Sequence, residues 1–202
     1  MLRRMVDRVY LVFTANREDA RHYWKMRNDY TQSVRQAPIP VKTAKLLATL
    51  AQRAESAVVF GSTSSALALI DLGCSVTLVE SDPGRAFGAE FHSDPQQRGL
   101  LRTVVIDRGS SEGRETYVHA YRDGSSRPTL VVVGGRSRTA VVRDVLNHAP
   151  HGAAVIVIAG GRDRYRELRS SLRELGVEFA LHVGPSANGS ARRCTAIIIS
   201  VK

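Results

Sequence analysis

The sequence has little of what marks secreted, membrane-spanning or metal-binding proteins. Its two cysteines, Cys74 and Cys194, lie far apart and form no metal-ligand spacing, and Cys74 is predicted to be a small core residue. No apolar run approaches the roughly 20 residues that a membrane helix requires. The basic, partly apolar start is interrupted by Asp7 and Arg8, unlike a signal peptide. We therefore expect a cytoplasmic protein without membrane insertion or a bound metal.

Acidic residues are also scarce relative to basic ones. The chain has 29 lysines and arginines against 19 aspartates and glutamates, a formal net charge of +10 and a pI near 10.3. Such a charge favours polyanions, nucleic acid among them. The excess is spread along the chain, however, and no basic block with interleaved aromatic residues occurs. A nucleic-acid partner therefore remains open, as does the oligomeric state.

The pattern of apolar residues predicts an α/β fold in the 202-residue chain. From residue 57 onward, short apolar runs at 57–60, 75–80, 102–107, 129–133 and 153–159 alternate with helical stretches at 64–72, 84–98, 138–149 and 163–175. Continuous apolar runs between helices are typical of parallel strands buried on both faces. The chain ends with a predicted hairpin over 177–183 and 194–201. Residues 108–128 are polar and predicted to be a loop above the carboxyl ends of the strands.

The first 40 residues have a different character. They contain a β-prone segment at 8–14 and a helical stretch at about 17–36, with Asn16 as its expected N-cap. Prolines at 38 and 40 end this stretch. We expect residues 1–40 to form an extension packed on a Rossmann-like domain over 41–202, which begins with a helix from Val41 to about Arg53.

Residues 58–82 carry the strongest functional signal. A strand runs into Gly61, a turn of small residues starts a helix, and a second strand ends in Glu80 and Asp82. Small residues let the backbone approach a ligand, the helix N-terminus offers free N–H groups, and the acid is placed to bind ribose hydroxyls. A nucleoside is therefore expected beyond the ends of these strands.

Two classes of cofactor use such a unit. Dinucleotides place a pyrophosphate on a G-x-G-x-x-G turn, but Thr63 and Ala66 stand at the second and third glycine positions. A nicotinamide-dependent protein is therefore the weaker alternative. Class I methyltransferases hold an amino-acid-bearing nucleoside instead, and the terminal hairpin matches the antiparallel seventh strand that they insert beside the fifth.

The order of four motifs resembles that of a group of small bacterial class I methyltransferase-like proteins over about residues 41–201. Those proteins carry approximately E-F-G-S-G-G-S, V-E-S-D, an Asp after strand three, and V-D-G-R-F-R. This chain has VFGSTSS at 59–65, VESD at 79–82, IDRG at 106–109 and VGGRSR at 133–138. The resemblance implies a doubly wound, mostly parallel seven-stranded sheet with an antiparallel last strand, and S-adenosylmethionine as the cofactor.

The resemblance also implies roles for individual residues. Glu80 would bind the ribose, and the other implied cofactor-binding residues are Gly61, Ser62, Thr63, Ser64, Ser81, Asp82 and Asp107. Gly134, Gly135, Arg136 and Arg138 would border the substrate, where the two arginines favour an anionic group. His119 is a further substrate-side candidate, as a general base or a stacking surface in the 108–128 loop.

Departures from the family pattern leave two functions open. Val59 stands where the family has an acid, Gly134 replaces the Asp of the D-G-R motif, and Thr63 would be strained if its backbone needed positive φ. One reading is a methyltransferase of unknown acceptor. The other is a catalytically inactive methyltransferase-like module that binds RNA or a ribonucleoprotein through a basic surface. The H-x-x-H pair His148 and His151 is interpreted as a solvated turn rather than a metal site.

Overall fold

A computed structural model describes residues 17–28, 38–122, 128–159, 165–189 and 193–201. The strands are β1 (Ser56–Phe60), β2 (Ser75–Glu80), β3 (Leu101–Val105), β4 (Leu130–Val133), β5 (Ala154–Ile158), β6 (Phe179–Gly184) and β7 (Cys194–Ser200). The helices are α1 (Arg17–Asn28), α2 (Val41–Ala51), α3 (Thr63–Asp71), α4 (Pro83–His92), α5 (Ser111–His119), α6 (Arg138–His148) and α7 (Arg166–Glu174). None of the described helices is long and apolar enough to cross a bilayer.

The seven strands form one sheet in the order β3-β2-β1-β4-β5-β7-β6. All neighbouring pairs from β3 to β5 are parallel, and β7 runs antiparallel to both β5 and β6. This confirms the doubly wound sheet with an antiparallel last strand. The strand order reverses between β1 and β4, and loops that diverge at such a point leave a crevice at the carboxyl ends of the strands.

The core consists of one apolar layer on each face of the sheet. Alternate residues of β1 divide between the layers: Val59 packs with α2, α3 and α4, whereas Phe60 packs with α5, α6 and α7. Cys74 is buried in the first layer, as predicted. Burial on both faces explains why these strands are continuously apolar rather than alternating.

The predicted loop over 108–128 is wrong in its first part, because residues 111–119 form α5 and residues 120–122 continue it as a 3₁₀ turn. The Oγ of Ser110 accepts a hydrogen bond from the N–H of Gly113 and so caps the helix. Tyr117 is the buried residue of α5, so the helix has almost no apolar periodicity that sequence reasoning could detect. Residues 123–127 lie outside the described part.

Helix α4 is shorter than predicted, since it ends at His92 before Ser93, Asp94 and Pro95 rather than continuing to residue 98. At the N-terminal side, α1 contacts the domain through an ion pair between Lys45 and Glu18 at 2.8 Å and a hydrogen bond from His22 to the carbonyl of Ala187. The predicted strand at 8–14, the N-cap Asn16 and the rest of the helix after residue 28 lie outside the described residues.

Candidate nucleoside-binding cleft

A cleft of about 1080 Å³ opens at the carboxyl ends of β1, β2 and β4, beside the point where the strand order reverses. Most of the site residues expected from sequence line it: Gly61, Ser62, Glu80, Ser81, Asp82, Asp107, Gly134, Gly135, Arg136 and Arg138. Residues as far apart in the sequence as Gly61 and Arg138, which are separated by 77 positions, thus meet at one edge of the sheet, because the strands that precede them are parallel.

The turn after β1 is held closely against the turn after β4. Gly61 has a φ of 59°, and its N–H donates to the carbonyl of Val79 at 2.9 Å. The N–H of Gly135 donates to the carbonyls of both Phe60 and Gly61 at 3.1 Å. Glycine is required at Gly61 both for its left-handed backbone and for this close approach.

Thr63 and Ser64 belong to the first turn of α3 and border an adjoining cavity of about 520 Å³, which shares Gly61 and Ser62 with the cleft. The described non-glycine residues with positive φ are Ser137 and Ala159, so Thr63 carries no left-handed strain. The Oγ atoms of Ser62 and Ser65 lie 2.7 Å apart and join the turn to α3. The first turn therefore has a regular helical shape, although it lacks the glycines of the family pattern.

Val59 is fully buried in the layer formed with α2, α3 and α4, away from the cleft. A carboxylate at this position would need a partner within an apolar environment. The structure therefore contains no acid at the place where the family pattern carries one.

Glu80 at the end of β2 is a buried carboxylate with an incomplete set of hydrogen bonds. Its residue is only 2% exposed, yet Oε1 has no hydrogen-bond partner among the described residues. Oε2 accepts a weak bond from the N–H of Ser81 at 3.3 Å. Burial raises the pKa of Glu80, a change that the Ser81 N–H and the charge of Arg85 only partly oppose. A buried unsatisfied acceptor is costly, and donors from a ligand would relieve that cost.

The two other acids of the cleft mainly organise their own loops. Oδ1 of Asp82 caps α4 by accepting from the N–H of Gly84 at 2.9 Å. Oδ1 of Asp107 accepts from the N–H of Gly109, also at 2.9 Å. Oδ2 of Asp82 lies 3.8 Å from Nε of Arg85, and both acids are exposed at the cleft.

Tyr117 is a cleft residue that sequence reasoning missed. It is 1% exposed and packs edge-on against Phe60, with ring centroids 5.4 Å apart. Its hydroxyl lies 3.3 Å from where a Cβ on Gly61 would be, and 3.2 Å from the equivalent position on Gly135. Burial, reinforced by the charge of Glu80, raises the pKa of Tyr117 to about 12. The neutral phenol thus lies where the two glycine turns meet.

Arginines border the same region, with different hydrogen-bonding roles. Arg138 donates from Nε to the carbonyl of Gly134 and from Nη1 to the hydroxyl of Tyr165, and its guanidinium stacks on the Tyr165 ring. Arg136 is exposed at the rim. Arg108, which sequence reasoning also missed, lies over the Tyr117 ring at 4.8 Å from its centroid. Its position directly after Asp107 was the available signal.

His119 does not line the cleft. Its Nε2 lies 3.4 Å from Oδ1 of Asp144, a carboxylate that also accepts from Nε and Nη2 of Arg122. Nδ1 of His148 lies 3.5 Å from the same Oδ1. This cluster joins α5 to α6, so the observed contacts of His119 are structural. Among the described residues, no group of histidine, cysteine or acidic side chains has the arrangement of a metal site.

No protein-family model and no curated protein matches the sequence. The fold, in contrast, is similar to several solved structures. A cofactor-bound protein of MTB, Rv0187, is 16% identical with a TM-score of 0.58, covering 96% of this chain and 94% of its own. A methyltransferase-like protein from Silicibacter pomeroyi is 21% identical with a TM-score of 0.59, covering 80% and 87%.

A SAM-dependent O-methyltransferase from Thermotoga maritima has the same fold at 11% identity and a TM-score of 0.56, with 81% of this chain and 66% of that chain covered. With the strand order, these similarities show that the chain has the class I methyltransferase fold. Identities this low show the architecture alone.

Proposed function

We propose that this methyltransferase-fold protein binds S-adenosylmethionine in the cleft and transfers a methyl group to an acceptor. The observation that carries the proposal is that Glu80 lines the cleft and that its buried Oε1 has no hydrogen-bond donor among the described residues. In this fold the crevice at the strand-order reversal is the expected ligand site. The cofactor-bound structural relative and the SAM-dependent one agree with this proposal.

The described residues suit the nucleoside part of this cofactor. The Glu80 carboxylate would accept hydrogen bonds from the ribose hydroxyls, and the exposed acids Asp82 and Asp107 would lie on the adenine side. Gly61 and Gly135 provide a backbone surface without side chains, because a Cβ on Gly61 would collide with Gly135. The amino-acid end must be held differently from the family pattern, since Val59 offers no anion to an ammonium group.

When bound, the cofactor supplies a methyl group activated on a sulfonium, and its in-line displacement depends chiefly on the relative positions of donor and acceptor. The chain's contribution would be to fix both molecules. The α5 residue Tyr117 closes the cleft beside Gly61 and Gly135, and its pKa of about 12 keeps the phenol neutral at physiological pH. The protein itself need not supply a nucleophile, because the acceptor attacks the methyl group directly.

Calorimetric titration with S-adenosylmethionine and S-adenosylhomocysteine tests the proposal. We expect binding by the parent protein and at least tenfold weaker binding by Glu80→Gln, which loses the carboxylate but keeps its size. Glu90→Gln, on the exposed part of α4, is the matched control and should bind like the parent. No heat of binding at millimolar ligand would reject the proposal.

The second candidate function is an inactive module that binds RNA or a ribonucleoprotein. The net charge of +10 favours it, together with the apolar Val59 in place of an acid. This function requires an affinity for single- or double-stranded RNA that falls steeply as salt is raised, because phosphate neutralisation releases counterions. Affinity that is absent or independent of salt excludes it.

A further inference from the structure

Tyr117 in the cleft has acidic and basic side chains near it. Its phenol lies within electrostatic range of Glu80 and of two guanidinium groups, those of Arg108 and Arg138. Among the described residues no ion pair joins Glu80 to Arg108, which leaves this carboxylate and this guanidinium for separate partners. Since Glu80 suits ribose hydroxyls, the Arg108 guanidinium is the group that remains for a second molecule.

Arg108 is fixed in place but not saturated with hydrogen bonds. Its guanidinium stacks on the Tyr117 ring, and Nη2 donates to Oγ of Ser137. The Nε–H is buried and has no acceptor among the described residues. A buried charged donor without an acceptor is unfavourable, and a ligand oxygen at this position would satisfy it. Arg138 differs, because its Nε and Nη1 already donate to Gly134 and Tyr165.

Ser137 accepts a hydrogen bond from Arg108 while its own backbone is in an unfavourable conformation. Its φ of 60° lies in the left-handed region, which disfavours residues with a Cβ. It is the N-cap residue of α6, yet its hydroxyl makes no capping hydrogen bond to that helix and accepts from Arg108 instead. Serine at this strained position therefore has a specific use, the orientation of the Arg108 guanidinium.

We propose that Arg108 is the anion-binding residue of the cleft and that the methyl acceptor carries a carboxylate or phosphate group held there. The planar fork of a guanidinium matches either group with two parallel hydrogen bonds. Exposed Arg136 at the same rim adds attraction for an anion. The identification of the anion as part of the acceptor rests on the proposed methyltransferase function; the anion site itself does not.

The test uses inorganic phosphate and succinate as separate probes, titrated at low ionic strength with and without saturating S-adenosylhomocysteine. We expect one or both to bind, and binding to weaken about tenfold or more in Arg108→Gln. Arg53→Gln, an exposed arginine outside the cleft lining, removes the same charge and should leave binding unchanged. The stronger probe distinguishes a phosphate-bearing acceptor from a carboxylate-bearing one.

Two further variants keep the test decisive if Arg108→Gln does not fold. Arg108→Lys retains the charge but loses the fork, and Ser137→Ala removes the hydroxyl that orients it, so both should weaken anion binding. Equal binding by the parent, Arg108→Lys and Ser137→Ala, or equal losses in Arg108→Gln and Arg53→Gln, would overturn the inference.

The two proposals fail separately. Arg108-dependent anion binding without any binding of S-adenosylhomocysteine would retain the anion site and reject the methyltransferase. Binding of S-adenosylhomocysteine without Arg108-dependent anion binding would reject the anion site alone.

Discussion

A Cβ atom on Gly61 would lie 2.5 Å from the Cα of Gly135, so the turns after β1 and β4 touch through their backbones. Glycine is the one residue type that permits both this contact and the φ of 59° at Gly61. The hydroxyl of Tyr117 lies beside this contact between the two turns. The contact therefore lies next to the proposed binding sites of both the cofactor and the acceptor.

Replacing Gly61 with alanine should lower the free energy of unfolding by about 3 kcal/mol or more, because left-handed strain and a backbone collision add together. Gly73→Ala is the matched control, since Gly73 has a φ of 81° but nothing within 4 Å of its would-be Cβ. That variant should lose only about 1–2 kcal/mol. Urea denaturation followed by circular dichroism measures both. Equal losses would contradict the contact between the turns.

Glu80→Gln should make the protein more stable at neutral pH while it weakens ligand binding. Because burial raises the pKa of this carboxyl, the folded protein binds its proton more tightly than the unfolded chain does. The free energy of unfolding therefore falls as pH rises from the ordinary glutamate pKa to the raised one, and stays lower above it. Glutamine removes this loss.

Denaturation of the parent and Glu80→Gln at a series of pH values, in the absence of ligand, checks this expectation. The difference between the two curves should grow across that interval, whereas Glu90→Gln should follow the parent. A Glu80→Gln variant that is less stable than the parent above neutral pH would argue against an unsatisfied buried carboxylate.

Tyr117→Phe should separate stability from binding. The ring, which packs on Phe60 and carries Arg108, is retained, and no described residue makes a hydrogen bond to the missing hydroxyl. We expect the free energy of unfolding to change by less than about 1 kcal/mol, while the affinity for S-adenosylhomocysteine changes measurably. Tyr121→Phe, whose hydroxyl donates to the carbonyl of Asp144, is the control that should leave affinity unchanged. Identical affinities for the parent and Tyr117→Phe would remove Tyr117 from the site.

Asp144→Asn should lower the free energy of unfolding by about 1–3 kcal/mol without affecting the cleft. Asp144 is 9% exposed and accepts from Arg122, with His119 and His148 beside it, so the amide would leave the Arg122 guanidinium without its anion. Thermal unfolding measures the loss, and Glu174→Gln, at an exposed residue of α7, is the control. Unchanged stability would show that this cluster does not join α5 to α6.

Sequence reasoning predicted the sheet well because its signals are local. The apolar runs around Val58, Leu78 and Val132 could be recognised without a structure, since strands buried on both faces leave few polar residues. Glu80 was recognised for a similar reason: an acid at the end of an apolar strand is visible in the sequence. The placement of Gly61, Gly134 and Gly135 along one cleft then follows from parallel strands ending at one edge.

The same reasoning missed α5, because its buried side consists of Tyr117 within an otherwise polar stretch. It also assigned His119 to the substrate side, whereas the helix directs that residue to Asp144. Arg138 was expected to attract an anion, but its Nε and Nη1 already donate to Gly134 and Tyr165. Each of these outcomes depends on which way a helix faces after it packs.

The sequence by itself determined the alternation of buried strands and helices and the acid after the second strand, because periodicity and strand ends are encoded within a few neighbouring residues. Only the tertiary structure decided that Tyr117 would meet Gly61 and Gly135, and that Arg108 would be oriented by Ser137. Those contacts join residues that lie 18 (Tyr117 and Gly135), 29 (Arg108 and Ser137) and 56 (Gly61 and Tyr117) positions apart in the sequence. Contacts over such separations arise from the packing of α5 and α6 on the sheet, so no pattern among neighbouring residues predicts them.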